Sequence, residues 1–356
     1  MSRNVPKLRF KGFEDEWKKY ELDDIAMISK SKYNPTKSNK TYKCIELEHI
    51  AQEDGRILGY VNSKEQNSIK NKFDSGDILF GKLRPYLKKY WISNFEGVCS
   101  SEIWVLKARK ISNSFLYRIV QSEKFNNIAN VSSGSKMTRA DWNYMSSTIF
   151  LVPKLNEQEK IANFLSKVDS IIEKQEKKVQ YWNSYKKGMM QKIFSQKIRF
   201  KDGNGMDYPE WEKKNLKYVL SEISEKTKEN NQYEVLSSTA NGVFKQSEYF
   251  NREIASADNT GYKILRLNQI VLSPQNLWLG NINYNNKYDM GIVSPSYKIF
   301  NINKNLNEKY ISYIIKTDRM LYGYKQASEQ GASVVRRNLN MDLFYDILIN
   351  IPCVEE

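Results

Sequence analysis

Histidine is almost absent: the 356-residue chain has one, His49. That removes most arrangements in which imidazole is the base or the metal ligand, such as Ser-His-Asp triads and two-histidine zinc sites. Cysteine is nearly as scarce. Cys44, Cys99 and Cys353 lie far apart, each without a nearby partner, so neither a disulfide framework nor a zinc site is indicated, and a reducing cytoplasm fits best. No apolar run approaches the roughly 18 residues of a membrane span. The opening "MSRNVPKLRF" has no apolar core of the signal-peptide kind. Walker A spacing is missing, so ATP is not bound that way. No convincing Asp/Glu-Lys nuclease cluster stands out: "FDSGDILFGK" reads more simply as a turn entering a buried strand. "DGNGMD" at 202–207 imitates a calcium loop, but Met206 and Lys213 occupy positions that need oxygen ligands. His49, at the end of an alternating stretch, reads as a structural or DNA-facing polar residue.

What the chain has is positive charge. Its formal net charge is +15, which favours a polyanionic partner, with nucleic acid first. Hydrophobic residues at 40% and aromatics at 13% suffice for one or two ordered cores.

It also has a repeat. Lys7-Leu8-Arg9-Phe10-Lys11 matches Lys197-Ile198-Arg199-Phe200-Lys201, and Trp17 with Leu22 matches Trp211 with Leu216. "GDILFGKLRP" (76–85) corresponds to "NQIVLSPQNL" (268–277), and "GVCSSEIWVL" (97–106) to "GIVSPSYKIF" (291–300). Helical spacing of Leu116, Ile119 and Val120 is echoed by Ile311, Ile314 and Ile315. Each helix leads to a small polar loop, "SSGSKMTR" or "EQGASVVRR", and each copy closes on a strand ending in proline, with Pro153 matching Pro352 and Glu157 matching Glu356. A period of about 190 residues is far too long for a solenoid and means duplication of a whole domain.

Between the copies, residues 156–196 contain no proline and one glycine, Gly188. Ile161, Leu165, Val168, Ile172, Val179, Trp182, Met189 and Ile193 form a heptad seam, interrupted by Gln175 and Lys186. Asn156 followed by Glu159 is a plausible capping start. A helix over 157–195 would span roughly 60 Å at about 1.5 Å per residue, more than a compact domain buries alone. A spacer that pairs with another helix is therefore expected.

These features together resemble the specificity subunits of type I restriction-modification enzymes. The resemblance is carried by "KLRFKGFEDEW", by its echo "KIRFKDGNGMDYPEWEKKNL", and by "PKLNEQEKIANFLSKVDSIIEKQEKKVQYWNSYKKGMMQKIF", which is similar to that family's central conserved region. It implies an α+β chain with two similar mixed α/β target-recognition domains, 1–156 and 197–356, joined by a long coiled-coil-forming helix, 157–196. It implies that each domain reads half of a split double-stranded DNA target and that the subunit is not catalytic. Two methyltransferase subunits, which bind S-adenosylmethionine and methylate adenine, and restriction subunits that use ATP and Mg would be its partners, with no cofactor in this chain. Adenine methyltransferases carry a motif such as Asn-Pro-Pro-Tyr; "YNPT" (33–36) is the nearest string and lacks its second proline and final aromatic.

One departure stands out. The family places a second long helix after the second domain, whereas "IPCVEE" stops where that helix should start. The expectation is a truncated product or a helix supplied by another molecule, with self-association through 161–193. The DNA contacts expected from the loops are Lys82, Arg84, Lys88 and Lys89 with Ser133, Ser135, Lys136 and Arg139 in the first domain. In the second they are Gln275, Asn276 and Trp278 with Ser333, Arg336 and Arg337. Lys174, Lys178, Lys186 and Lys187 on the helix are expected mostly to face water. A self-contained nuclease or methyltransferase, and a coiled-coil scaffold unrelated to DNA, are the competing readings.

Overall fold

The computed structural model describes residues 5–131, 138–250, 256–330 and 336–356. Contacts divide it into two units, Met1–Lys177 and Lys178–Glu356.

The first unit contains β1 (Lys18–Glu21), β2 (Ala26–Ile28), β3 (Ile78–Gly81), β4 (Tyr90–Ile92), β5 (Ile103–Ala108), α1 (Asn113–Gln121), α2 (Glu123–Ala129) and β6 (Ile149–Val152). An antiparallel sheet runs in the order β2, β5, β3, β4, and β1 pairs separately with β6. The strand expected after "FDSG" is β3, whose four residues are all buried. Its turn is tied by Asp77, whose carboxylate accepts the Asp74 amide at 2.8 Å. On one face of this sheet lie α1 and α2, started by Ser112 and Ser122, whose hydroxyls accept the amides of Phe115 and Phe125. On the other lies a five-stranded sheet, in which Lys43–Ile45 runs parallel to Gly97–Cys99. Two apolar clusters result, one around Phe80, Leu116 and Phe125, the other around Phe73, Trp91 and Val105.

After β6 comes α3 (Leu155–Phe194). It begins two residues earlier than the sequence pattern suggests. Asn156 is therefore no cap; it sits inside the first turn, and the Lys154 carbonyl receives the amides of Glu157 and Gln158. Both of those side chains are buried. Gln158 accepts from the Ser112 amide and donates to the Pro153 carbonyl, both at 2.9 Å.

The second unit repeats the plan with β7 (Glu212–Asn215), β8 (Leu220–Ile223), β9 (Ile270–Leu272), β10 (Ile282–Tyr284), β11 (Lys298–Ile302), α4 (Glu308–Ile314), α5 (Asp318–Gln326) and β12 (Leu348–Ile351). Its sheet runs β8, β11, β9, β10, the same order as in the first unit, and β7 pairs with β12 as β1 pairs with β6. The duplication is thus one of topology as well as sequence. Gly97 and Gly291 mark the same close approach: an added Cβ would lie 2.6 Å from Phe73 in one unit and 2.4 Å from Leu236 in the other.

The repeated opening has a concrete job. Arg9 grips Glu157, with Nε on Oε1 and Nη2 on Oε2, both at 2.7 Å, and Trp17 Nε1 donates to the same carboxylate at 3.3 Å. Arg199 and Trp211 hold Glu356 in the same way, at 3.1, 2.7 and 2.7 Å. Edge-on ring contacts back both clamps, Trp17 on Phe115 and Trp211 on Tyr310. A fork-to-fork guanidinium–carboxylate pair is among the stronger polar contacts because two charge-assisted hydrogen bonds share one geometry. The false calcium loop is a turn as well: Asp202 Oδ1 accepts the amides of Asn204 and Met206.

Glu157→Ala should strand Arg9 beside a buried gap, read as a lower urea midpoint for the first unit. The Arg199 guanidinium, helped by Trp211, holds the Glu356 carboxyl below its usual range. Its contribution is therefore complete above the ordinary glutamate value of about 4.3 and is lost as pH falls through the depressed value. Glu356→Gln should flatten the acid limb of the melting profile; an unchanged limb would show that the clamp carries no such linkage.

Candidate nucleic-acid interface

In the first unit, the two loops named from sequence are stitched together by backbone. The Lys82 carbonyl accepts the Ala140 amide at 2.9 Å, the Arg84 amide donates to the Thr138 carbonyl at 2.8 Å, and Leu83 and Arg139 form a β-bridge. Lys82, Arg84 and Arg139 thus share one surface. Ser133, Ser135 and Lys136 lie outside the described residues. Arg139 Nε is 3.1 Å from Glu102.

The loop is also strained. Arg84 (φ 52°) and Lys88 (φ 46°) are both left-handed, and they flank the single turn Pro85–Leu87. For a residue with a Cβ this costs roughly 1–2 kcal/mol, and such cost persists where the surroundings over-determine it. The turn presents exposed Arg84 and, at its tip, Tyr86, which is 54% exposed. Sequence reasoning missed Tyr86 because one tyrosine among 23 carries no local signal.

Lys88 and Lys89 differ from their sequence reading in what they already hold. Lys88 pairs with Glu53 at 3.1 Å. Lys89 turns inward, its Nζ donating to the Leu47 carbonyl at 2.6 Å, and burial lowers its pKa. Strand register places Asn281 of the second unit where Lys89 stands, and Ser238 where Leu47 stands. Asn281 Nδ2 donates to the Ser238 carbonyl at 2.9 Å. The two units therefore make the same tie with different side chains, which gives Lys89 a structural role.

In the second unit, Pro274–Leu279 forms a tight helical turn closed by Gly280 at φ 85°. Gln275 is exposed, Asn276 half-buried, and Arg337 stacks on the Trp278 ring at 4.3 Å. Arg337 starts the second strand of a hairpin, Ser328–Gln330 with Arg337–Leu339. The predicted loop pair is again one surface. Arg336 is exposed next to it, and Ser333 lies outside the described residues. His49 is structural: its Nδ1 accepts the Glu46 amide at 3.0 Å.

Along α3, Ile161, Leu165 and Val168 are half-buried, whereas Ile172, Val179 and Trp182 are each more than half exposed; Met189 and Ile193 are half-buried near its end. Arg118 reaches Asp169 at 2.7 Å and Ser166 at 2.8 Å, and Arg56 reaches Glu176 at 2.8 Å. Lys174, Lys178 and Lys187 are exposed, as expected, and Lys186 lies over the Tyr313 ring at 5.2 Å. Among the described residues no cluster of acids, histidine and cysteine is arranged to hold a metal, and no helix is long and apolar enough to cross a membrane.

Arg84→Gly and Lys88→Gly should relieve the left-handed strain, changing stability by less than about 1 kcal/mol, while removing the cations. A marked fall in melting temperature would mean that the side chains, not the turn, hold the loop.

Comparison with known proteins supplies the remaining observations. The family model described as the type I restriction modification DNA specificity domain matches residues 14–180. The chain is 27% identical over 168 residues to the type I restriction enzyme EcoDI specificity subunit of Escherichia coli, covering 46% of this chain and 37% of that protein. It is 26% identical over 228 residues to the putative MjaX specificity subunit of Methanocaldococcus jannaschii, covering 59% and 54%. The chain thus spans about a third to a half of the curated relatives it matches. Among solved structures, a type I restriction-modification S subunit from M. genitalium superposes with a TM-score of 0.53 at 13% identity, covering 99% of this chain and 88% of that one. A chain from a study of assembly and conformational transition of the type I R-M system gives 0.52 at 17% identity, covering 98% and 88%. These likenesses establish the fold: mixed α/β, with a long helix between two sheet-rich parts of the sequence.

Proposed function

We propose that this chain belongs to the type I restriction-modification specificity-subunit family, as its matches to that family's DNA specificity domain and to the EcoDI subunit support, and that it is the non-catalytic DNA-reading subunit of such a complex. The observation that carries the reading is the duplicated loop pair. In each unit the loop after β3 or β9 adjoins the loop that precedes the last strand, and both present cations and polar or aromatic groups. One helix of 40 residues joins the two units in sequence. Two readers joined in one chain suit a split target with two half-sites.

The division of labour follows from the side chains. Arg84, Arg139 and Arg337 suit guanine edges or phosphate, and Gln275 and Asn276 suit adenine edges. The charge of +15 supplies salt-sensitive phosphate affinity. The reacting groups belong to partners: two methyltransferase subunits with S-adenosylmethionine, and restriction subunits with ATP and Mg, in the cytoplasm. Exposed Ile172, Val179 and Trp182 on α3 favour pairing with the same helix of a second copy.

The test is methyl transfer from labelled S-adenosylmethionine to duplex DNA, with this chain alone and with a methyltransferase partner. Adenine methylation should require both proteins, its sequence context should follow this chain, and binding should weaken steeply with salt. Methylation by the chain alone, or a context indifferent to it, would overturn the reading. Light scattering of the isolated chain should give the mass of a dimer; a monomer would remove the pairing.

A further inference from the structure

The second unit contains a lysine whose ammonium hydrogens are all engaged. Lys316 sits in the corner between α4 and α5, its stem exposed and its head turned inward. Nζ donates to the Ala240 carbonyl at 3.1 Å, the Gly280 carbonyl at 3.1 Å and Asn283 Oδ1 at 2.9 Å. An ammonium group has three donors, so none is left over. The acceptors come from three segments: the hairpin turn after Leu236–Thr239, the end of the Pro274–Leu279 turn, and β10. Loss of hydration lowers the lysine's pKa, as expected for a head packed among protein dipoles.

Behind Lys316 lies a buried polar network. Ser238 Oγ donates to Asn281 Oδ1 at 2.6 Å, and Asn283 Nδ2 donates to Ser238 Oγ at 2.8 Å and to the Thr239 carbonyl at 2.7 Å. The first unit solves the same problem differently. Register puts Trp91 where Asn283 stands, and the helix caps put Gln121 where Lys316 stands. Trp91 packs against Phe73 and Phe95. One reading surface therefore rests on aromatic rings, the other on hydrogen bonds closed by one lysine.

We propose that Lys316 is a positioning residue for recognition of the second half-site. It locks the turn carrying Gln275 and Trp278 to the neighbouring hairpin, so that Trp278 and its stacked Arg337 meet DNA in a single geometry. This rests on the DNA-reading assignment above. A group that holds a reading loop changes discrimination between bases more than total affinity, because phosphate contacts dominate affinity and carry no sequence information of their own.

The experiment uses the full chain complexed with its methyltransferase partner and a duplex library randomised in each half-site. Methylated products give discrimination at each half-site separately. Lys316→Met should lower discrimination at the second half-site about tenfold, equivalent to about 1.4 kcal/mol, and leave the first unchanged. Lys316→Gln, which keeps two donors, should lose less and melt within a few degrees of the native chain. Gln275→Ala and Arg337→Ala in parallel test the loop assignment itself. If they alter the second half-site and a folded Lys316 variant does not, the positioning role is overturned alone. If neither they nor the Lys316 variants alter it, the loop assignment fails too. Equal losses at both half-sites would make Lys316 a general stabiliser and also overturn the proposal.

Discussion

A single ion pair, repeated, organises this chain. The forked contact between Arg9 and Glu157 joins the opening segment to the first turn of α3, and the Trp17 indole closes it. Glu157 is only 2% exposed, so the carboxylate is tolerable there only with its partners in place. Three structures therefore share one anchor: the segment that leads into β1, the pairing of β1 with β6, and the start of the helix. The second unit closes its own opening segment on Glu356 by the same chemistry. That accounts for the recurrence of the arginine and the following tryptophan in the two openings.

The frame around each anchor is held constant, and the second sheet is where the units part. The first unit has five strands there, with Phe73, Trp91 and Phe95 in mutual contact. Among the described residues the second has two separate two-stranded sheets and a polar network of serine and asparagine. Both second sheets support the loop after the central strand. A duplicated domain whose scaffold is fixed and whose loop support is rebuilt presents two different surfaces on one frame.

Much of this was legible in the residues. The repeat marked both units, the apolar runs at 78–81 and 270–272 marked the central strands, and the proline-ended strands marked the closures. The loop pairs came from their place in the repeat, and the structure brings their described members together, Lys82 and Arg84 with Arg139 and Trp278 with Arg337. What was not legible was whatever depends on where a side chain ends. Lys89 reads as a surface cation, yet its ammonium is bound to the Leu47 carbonyl. "NEQEK" reads as a polar helix start, although Glu157 and Gln158 are buried tethers. Asn281 and Asn283 are neighbours on one strand, but Ser238 and Lys316 lie 43 and 33 residues away from them in sequence. Only the fold makes them one network, and no periodicity records it.

The long helix has two ends mounted by different forces. Beyond Ala162 none of its residues is buried, and the first unit holds it through the ion pairs of Arg9, Arg118 and Arg56 as well as Ile161 against the core and the Phe10–Phe164 ring contact. Its far end is seated by Phe194 against Tyr310 and the apolar cluster beneath. Salt shortens the reach of exposed charges and so slackens the outer ionic mount. Cooling weakens apolar burial, on which the Phe194 end depends most. The two ends of the helix are therefore held by different mixtures of charge pairing and apolar burial, so salt and temperature act on them unequally.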